Sequence, residues 1–189
     1  MSKLDKSALR REILHQRQSL SPAEWQAKSN QISDRLKSIT RFQEAQTVFA
    51  YFSFRQEPDL SSLFSLDKTW AFPRCVDKSL VWHSWQTGAE LNTGKYGIQE
   101  PFETAPMIEP ATADLILVPT VACDDRGYRL GYGGGFYDRF LSRDRTCDPT
   151  LNIPTIGIIF DFAYGIQLPI DPWDMKLNFS CTETKFTNY

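Results

Sequence analysis

The sequence predicts a single α/β domain covering residues 1–189, in which helices flank a mainly parallel sheet in three layers. Two continuous apolar runs, residues 114–119 and 153–160, have the composition of strands that are buried on both faces. A helix is predicted between them, and the order strand, helix, strand implies two parallel strands of one sheet. A length of 189 residues is enough for one domain with a sizeable core.

Composition and charge are those of a globular protein, with 41% hydrophobic and 23% charged residues. A formal net charge of -2 gives no general attraction to nucleic acid, so we expect no nucleic-acid partner and only a local anion site. No apolar stretch reaches the length of a membrane span, and the charged N-terminus lacks the apolar core of a signal peptide. These features predict a cytoplasmic protein with no membrane partner, and we expect a monomer.

The cysteine and histidine content does not favour a zinc site. The chain has only two histidines and four cysteines, and no Cys-x-x-Cys pair. We therefore expect free, mostly buried thiols in a reducing compartment, at Cys75, Cys123, Cys147 and Cys181.

Two helices are predicted at the N-terminus. Apolar periodicity indicates the first over about residues 3–18, where Lys6 and Arg10 stand four residues apart on one face. The two cations can grip one polyphosphate, or they can belong to an ordinary solvated helix face. The second helix, ending near residue 39, should begin with a capping box in which Ser21 pairs with Glu24.

Residues 47–54 are rich in β-forming residues and predict a buried strand. Glu57 and Asp59 follow just beyond its end. Ligands of open α/β sheets bind beyond the carboxyl ends of the strands, so an acid here can face a substrate. The alternative is a plain loop carboxylate.

The middle and the end of the chain contribute further strands. Residues 68–73 and 80–86 predict a hairpin or two edge neighbours, and His83, which lies among tryptophans, is expected to be structural. A long surface connection is predicted over residues 87–113, and a short final strand over about 177–182.

A glycine cluster is the strongest indication of function. Four of the ten glycines lie between residues 131 and 135, with Arg129 before them and Asp138 after them. Glycines allow a backbone to pass close to a ligand with its N–H groups turned inward, which suits an anion. A helix predicted from Gly134 to Arg143 would direct its N-terminus at the same point.

The glycine cluster fits neither common nucleotide-binding pattern. No Lys-Ser or Lys-Thr follows the glycines as a P-loop requires, and Phe136 occupies the third glycine position of the dinucleotide-binding fingerprint. The predicted fold is therefore Rossmann-like without that fingerprint. A tight turn with no ligand remains the alternative reading of these residues.

Several motifs together resemble the 5-formyltetrahydrofolate cyclo-ligase family over nearly the whole chain. The run Arg-Leu-Gly-Tyr-Gly-Gly-Gly-Phe-Tyr-Asp at residues 129–138 is similar to the family's most specific motif. The weaker matches are Lys6 to Arg10, Tyr51 to Ser53 followed by Glu57, Gly94 to Pro101, Val118-Pro119, Asp124 to Gly127, and Asp174 to Lys176. Two positions depart from the pattern of many members: Phe136 replaces tyrosine, and Asn178 replaces an acid.

The resemblance implies ATP- and Mg²⁺-dependent closure of 5-formyltetrahydrofolate to 5,10-methenyltetrahydrofolate, with release of ADP and phosphate. It implies Arg129 as a catalytic residue and Asp138 and Asp174 as magnesium ligands. The implied ATP-binding residues are Lys6, Arg10, Arg129, Leu130, Gly131, Tyr132, Gly133, Gly134, Gly135, Phe136 and Tyr137. The implied folate-binding residues are Phe52, Glu57, Tyr132, Gly133, Gly134, Gly135 and Phe136.

Two other functions remain open on the sequence. One is a different phosphoryl transferase that uses the same loop on another small molecule, and the other is a folate- or nucleotide-binding module without turnover. Aromatic residues that can form the walls of a pterin site are Tyr51, Phe52, Trp82 and Trp85, with core packing as the alternative for the two tryptophans.

Overall fold

The computed structural model of the protein describes residues 5–147 and 153–189. Its α-helices are α1 (Lys6–Gln18), α2 (Pro22–Ser38), α3 (Thr40–Glu44) and α4 (Phe136–Cys147). Its strands are β1 (Thr47–Phe49), β2 (Thr69–Val76), β3 (Ser79–Ser84), β4 (Asn92–Thr93), β5 (Gln99–Glu100), β6 (Leu115–Pro119), β7 (Ala122–Cys123), β8 (Arg129–Leu130), β9 (Thr155–Ile158), β10 (Phe179–Cys181) and β11 (Phe186–Asn188).

The helix termini follow local capping chemistry. The Asp5 side chain caps α1 by accepting from the Ser7 amide, while the predicted start at residue 3 lies outside the described residues. The predicted capping box of Ser21 and Glu24 at the start of α2 is confirmed. Helix α4 begins two residues later than predicted, because Gly135 has a φ of +67°, which a right-handed helix does not accept.

Within the described residues the main sheet has seven strands in the order β11-β10-β9-β6-β1-β2-β3. The five central strands, β10 to β2 in that order, run parallel to their neighbours, and the two outermost strands are antiparallel. The predicted parallel pairing of the two apolar runs is confirmed, since β6 pairs with β9 and α4 lies between them in the chain. Strands β2 and β3 form a hairpin, which is one of the two predicted arrangements.

Hydrophobic cores on both faces of the sheet produce the predicted three layers. Successive residues of β1 and β6 point to opposite faces, as they do in any strand. One core combines strand residues with side chains of α2 and α3: Val48, Leu115, Leu117, Ile32, Leu36 and Phe42. The other combines strand residues with side chains of α1 and α4: Phe49, Ile116, Val118, Ile13, Phe140 and Leu141.

Several predicted boundaries are wrong. The strand expected over residues 47–54 ends at Phe49, and the chain turns further on at Arg55 and Gln56, whose φ angles are +48° and +55°. The aromatic residues after Phe49 are packed against other side chains without continuing the ladder. The connection 87–113 is partly ordered, since it contains the β4–β5 hairpin and a 3₁₀ turn at Pro110–Thr112.

Strand β6 is separated from the glycine cluster by structure that the sequence did not predict. A second small hairpin, β7 with β8, lies between them, and it places Arg129 on a strand. Strand β11 at the sheet edge was not predicted either. Cys75, Cys123 and Cys181 carry free thiols, and the side chain of Cys147 lies outside the described part of the chain.

Candidate functional site

A cavity of about 510 Å³ lies at the carboxyl ends of the parallel strands, a size that suits a small-molecule ligand. Strand β6 reaches it through Pro119, and the chain after β1 reaches it through Tyr51. All of the predicted site residues line it: Lys6, Arg10, Phe52, Glu57, Arg129, Leu130, Gly131, Tyr132, Gly133, Gly134, Gly135, Phe136, Tyr137, Asp138 and Asp174. The structure thus brings them together, while the role of each stays a prediction.

Helix α1 holds the glycine loop, residues 131–135, against one side of the cavity. Arg10 Nε donates to the Gly131 carbonyl at 2.7 Å. Gly133 has a φ of +100°, and a Cβ atom there would lie 3.4 Å from the Arg10 guanidinium carbon. The loop therefore requires glycine for its backbone conformation and for the close approach of Arg10.

An ion pair closes the base of the glycine loop. Arg129, which is buried, forms an ion pair with Asp138, with 3.0 Å between Nη2 and Oδ1. The guanidinium also lies 5.5 Å from the centre of the Tyr137 ring. Arg129 Nε and the Tyr137 hydroxyl are both buried without a hydrogen-bond partner among the described residues, so both have unused polar capacity at the cavity.

A second cluster of charges faces the glycine loop from the C-terminal part of the chain. Lys6 Nζ lies 2.6 Å from Asp171 Oδ2 and 2.5 Å from Asp174 Oδ2. Burial lowers the pKa of Lys6, but the hydrogen bonds and charges of the two acids outweigh it and raise the pKa above its ordinary value. Lys6 is therefore a fixed cation at the cavity edge, held by one acid that was predicted and by Asp171, which was not.

The two predicted magnesium ligands lie at the same cavity but in different ion pairs. No cluster of three or more His, Cys, Asp or Glu side chains suitable for a metal occurs in residues 5–147 and 153–189. Mg²⁺ commonly binds through one or two carboxylates together with substrate phosphates and water, so a two-acid site fits this ion. Asp138 and Asp174 each have a second carboxylate oxygen besides the one in the ion pair.

Glu57 lines the same cavity and is almost completely buried. It is only 3% exposed; Oε2 accepts from the Phe54 amide at 3.1 Å, and Oε1 has no partner among the described residues. Burial raises the pKa of Glu57 to about 7, although the charge of Arg17 and the Phe54 amide act to lower it. An acid with a free oxygen and a poised charge is suited to bind a ligand that carries N–H groups.

Two of the four aromatic residues predicted as walls of a pterin site line the same cavity as Glu57. Phe52 lines the cavity and stacks on Phe72 with 4.0 Å between ring centres, and Tyr51 also lines it. Trp82 instead packs in the core against Phe49, with 4.4 Å between ring centres. The structure therefore assigns Tyr51 and Phe52 to the cavity and Trp82 to the core.

Trp85 and His83 also lie outside the cavity lining. Trp85 packs edge-on against Phe52 at 5.2 Å, so it supports a wall of the cavity from behind. His83 is buried, with Nδ1 2.7 Å from the Ala105 carbonyl oxygen, in agreement with the expected structural role.

The two departures from the usual family pattern have local explanations. The Phe136 ring lies 5.8 Å from the Tyr96 ring and 5.2 Å from the Arg139 guanidinium, so it packs at the cavity edge without needing a hydroxyl. Asn178 Oδ1 accepts from the amide and the hydroxyl of Thr155, both at 2.9 Å, and so joins β9 to the segment before β10.

Sequence reasoning missed several residues of the cavity and its surroundings. Residues that line the cavity and were not predicted include Cys75, Tyr96, Glu100, Asp171 and Trp173. Arg17 was also missed, although helical periodicity places it seven residues after Arg10 on the same face of α1. That spacing was the one available signal for Arg17. Cys75 and Glu100, which belong to β-hairpins, could not be recognised before the tertiary structure placed them at the cavity.

Together these features define an α/β protein whose cleft is lined by a glycine-rich loop, a cluster of cations, a buried acid and aromatic rings. In the described part of the chain, no helix combines the length and apolar character needed to cross a membrane.

Comparisons with known proteins agree with this class. The profile of the 5-formyltetrahydrofolate cyclo-ligase family matches residues 2–183. The 5-formyltetrahydrofolate cyclo-ligase of Escherichia coli (strain K12) is 27% identical over 183 residues, covering 92% of this chain and 97% of that protein. The corresponding protein of Mycoplasma pneumoniae is 30% identical over 176 residues, covering 93% and 96%.

Solved structures give the same result. The NMR structure of the 5,10-methenyltetrahydrofolate synthetase of Aquifex aeolicus matches with a TM-score of 0.83 and 33% identity, over 97% of this chain and 92% of that one. The Mycoplasma pneumoniae 5,10-methenyltetrahydrofolate synthetase matches with a TM-score of 0.76 and 25% identity, over 95% and 99%. The chain belongs to the 5-formyltetrahydrofolate cyclo-ligase family, as its motifs predicted.

Proposed function

We propose that the protein closes 5-formyltetrahydrofolate to 5,10-methenyltetrahydrofolate with consumption of ATP. The observation that carries this proposal is that one cavity is lined both by cations and by a buried acid. We assign the cations Lys6, Arg10 and Arg129 to a phosphate side of this cavity, and Glu57 with the neighbouring aromatic residues to a folate side. A phosphate-bearing ligand and a flat ligand with N–H donors can therefore meet in one space.

The chemistry requires activation of the formyl group, because a formamide oxygen is a poor leaving group. The formyl oxygen attacks the γ-phosphorus of ATP, and the bond from this phosphorus to the bridging oxygen breaks, which releases ADP. N10 of the folate then attacks the formyl carbon, the carbon–oxygen bond to the phosphoryl group breaks, and the N10 proton is lost. Phosphate leaves, and positioning with charge neutralisation provides most of the acceleration in such transfers.

The phosphate side of the cavity has a residue for each part of this task. Lys6, Arg10 and the inward amides of the glycine loop would hold the ATP phosphates. Arg129 is our proposed catalytic residue, because its guanidinium can offset the charge on the transferred phosphoryl group. Asp138 and Asp174 would hold Mg²⁺, which when bound neutralises charge on the phosphate oxygens.

The folate side would use Glu57 and the surrounding rings. The ionised carboxylate of Glu57 accepts hydrogen bonds from the pterin's amino group and ring N–H. Phe52 would pack against the pterin, and the glycine loop with Tyr132 would close over it. We extend the proposal to small molecules as the only partners, and to a cytoplasmic monomer, which fits the free thiols.

The test is to incubate the protein with ATP, Mg²⁺ and 5-formyltetrahydrofolate while the near-ultraviolet absorbance of the product and the release of ADP are recorded. The proposal predicts both signals at equal molar amounts. ADP release that depends on a different small molecule would instead indicate another phosphoryl transferase. Ligand-induced stabilisation without either signal would indicate a binding module without turnover.

A further inference from the structure

Arg17 is a buried cation that links three segments around the cavity without lining it. It is 2% exposed, and its Nε donates to the Arg55 carbonyl at 3.0 Å. Its Nη2 donates to the Tyr132 hydroxyl, and the guanidinium lies 5.4 Å from the centre of that ring. One side chain of α1 thus contacts both the turn that precedes Glu57 and the glycine loop.

The position of Arg17 has an energetic cost that calls for a reason. A buried charge is unfavourable unless it is paired, and among the described residues Arg17 Nη1 has no hydrogen-bond partner. Glu57 Oε1 is likewise buried without a partner. The charge of Arg17 acts on Glu57 through space and favours its ionised form. Among the described residues, the phenols of Tyr51, Tyr132 and Tyr137 also interact with the charge of Glu57.

The turn that Arg17 holds is a strained one. Arg55 and Gln56 have positive φ angles of 48° and 55°, in a region that side chains other than glycine seldom adopt. Strain of this kind persists only where surrounding contacts hold it in place. The bond from Arg17 to the Arg55 carbonyl is such a contact, and Tyr132 adds another by donating to the Phe54 carbonyl at 3.3 Å.

We propose that Arg17 is a positioning residue for folate recognition, which fixes Tyr132 and the turn at 54–57 that leads into Glu57 in their binding arrangement. This inference rests on the proposed function, since it takes the pterin as the ligand of Glu57. It divides the work along α1: Lys6 and Arg10 serve the phosphate side of the cavity, and Arg17 serves the folate side.

The experiment compares Arg17→Met with a matched control, Arg11→Met, an exposed arginine of the same helix. Binding of 5-formyltetrahydrofolate without ATP, and of ATP without folate, is measured by calorimetry from pH 6 to pH 9. Arg17→Met should weaken folate binding by roughly tenfold to a hundredfold, as for loss of a charged hydrogen bond, and leave ATP binding nearly unchanged. Folate affinity should fall at low pH, where Glu57 is protonated, and in Arg17→Met this fall should occur at a higher pH. Arg11→Met should behave as the unaltered protein does.

A ligand-free measurement tests the link between the two residues directly. In ¹³C NMR of the apo protein, the Glu57 carboxyl signal is identified by its absence in Glu57→Gln. Arg17→Met should raise the pH at which this signal titrates, and Arg17→Lys, which keeps the charge without the planar fork, should raise it much less. Arg17→Lys also provides the comparison if Arg17→Met does not fold.

An unchanged Glu57 titration in the folded variant would overturn the role proposed for Arg17 and leave the proposed function of the protein standing. Equal losses of folate and ATP affinity, accompanied by a lower melting temperature, would overturn it in favour of a purely structural role. Absence of folate binding by the unaltered protein would overturn the proposed function, and with it the ligand assigned here, even if the Glu57 titration shifted as expected.

Discussion

Replacing Glu57 by glutamine should make the stability of the protein less sensitive to pH. The carboxyl group is buried, and its pKa is raised from the ordinary 4.5 to about 7 because burial outweighs the charge of Arg17. A carboxyl group with a higher pKa in the folded protein binds its proton more tightly when folded. Its contribution to stability is fully present below the unfolded pKa and is lost as the pH rises through about 7.

The size of this effect follows from the two pKa values. Relative to low pH, ionisation of Glu57 lowers the free energy of unfolding by about 0.8 kcal/mol at pH 5 and by about 3.3 kcal/mol at pH 8. Between pH 5 and pH 8 the unaltered protein should therefore lose about 2.5 kcal/mol relative to Glu57→Gln. Comparing two pH values cancels any constant difference between the two side chains.

The assay is urea unfolding of both proteins at pH 5 and pH 8, with Glu12→Gln, an exposed change on α1, as the control. The control should follow the unaltered protein at both pH values. In Glu57→Gln, folate binding should be weakened because the charged acceptor is gone, although the variant should lose less stability than the unaltered protein between pH 5 and pH 8. A stability difference between the two proteins that does not change with pH would refute the reasoning.

Three further substitutions test the phosphate side of the cavity, and Gly88→Ala serves as a control for one of them. Lys6→Gln should reduce ATP affinity by about tenfold or more in calorimetry. It should change stability by less than about 0.5 kcal/mol, since the ion pairs of Lys6 are partly exposed. Unchanged ATP affinity would show that Lys6 is not part of the ATP site. Asp138→Asn should lower turnover by about a hundredfold in the absorbance assay. It should also lower stability by about 1–2 kcal/mol, because it leaves the buried Arg129 without its anionic partner. Normal turnover would show that the magnesium assignment is wrong. Gly133→Ala and Gly88→Ala should each cost about 1–2 kcal/mol in urea unfolding, because φ is +100° and +91° at these glycines, but only Gly133→Ala should impair turnover. Equal activity of the two alanine variants would mean that the shape of the glycine loop does not matter.

The central architecture could be predicted because local signals agree with the tertiary structure there. The apolar runs that became β6 and β9 are buried on both faces, so no polar alternation obscured them. The start of α2 was readable because its cap is formed by neighbours in the sequence, Ser21 and Glu24. The two-residue strands β4, β5, β7 and β8 gave no such signal, because they are defined by hairpin pairing and have no periodicity of their own.

The extent of the first strand was misjudged for a different reason. The residues after Phe49 have strong β propensity, but Tyr51 and Phe52 are used as cavity walls and core contacts. The strained turn at Arg55 and Gln56 then returns Glu57 to the cavity. β propensity indicates only that these side chains fit a pleated sheet. Here tertiary packing determined their conformation instead.

The candidate site could be predicted where residues form a contiguous motif, as in the run from Arg129 to Asp138. Residues that act through partners were harder to recognise. Arg17 shares a helix face with Arg10, but only the structure shows that it is buried and directed at Tyr132. Nothing in the sequence distinguishes Asp171 from an ordinary loop acid. Only the fold brings Lys6 to it from the other end of the chain.

The most direct test of the proposed chemistry is to follow the formyl oxygen itself. The protein is given ATP, Mg²⁺ and 5-formyltetrahydrofolate labelled with ¹⁸O in the formyl group, and the released phosphate is analysed by mass spectrometry. Attack of the formyl oxygen on the γ-phosphate predicts that each phosphate carries one ¹⁸O atom as the methenyl product forms. Product formation with unlabelled phosphate would contradict the account, because the phosphoryl group would then have been transferred to something other than the formyl oxygen.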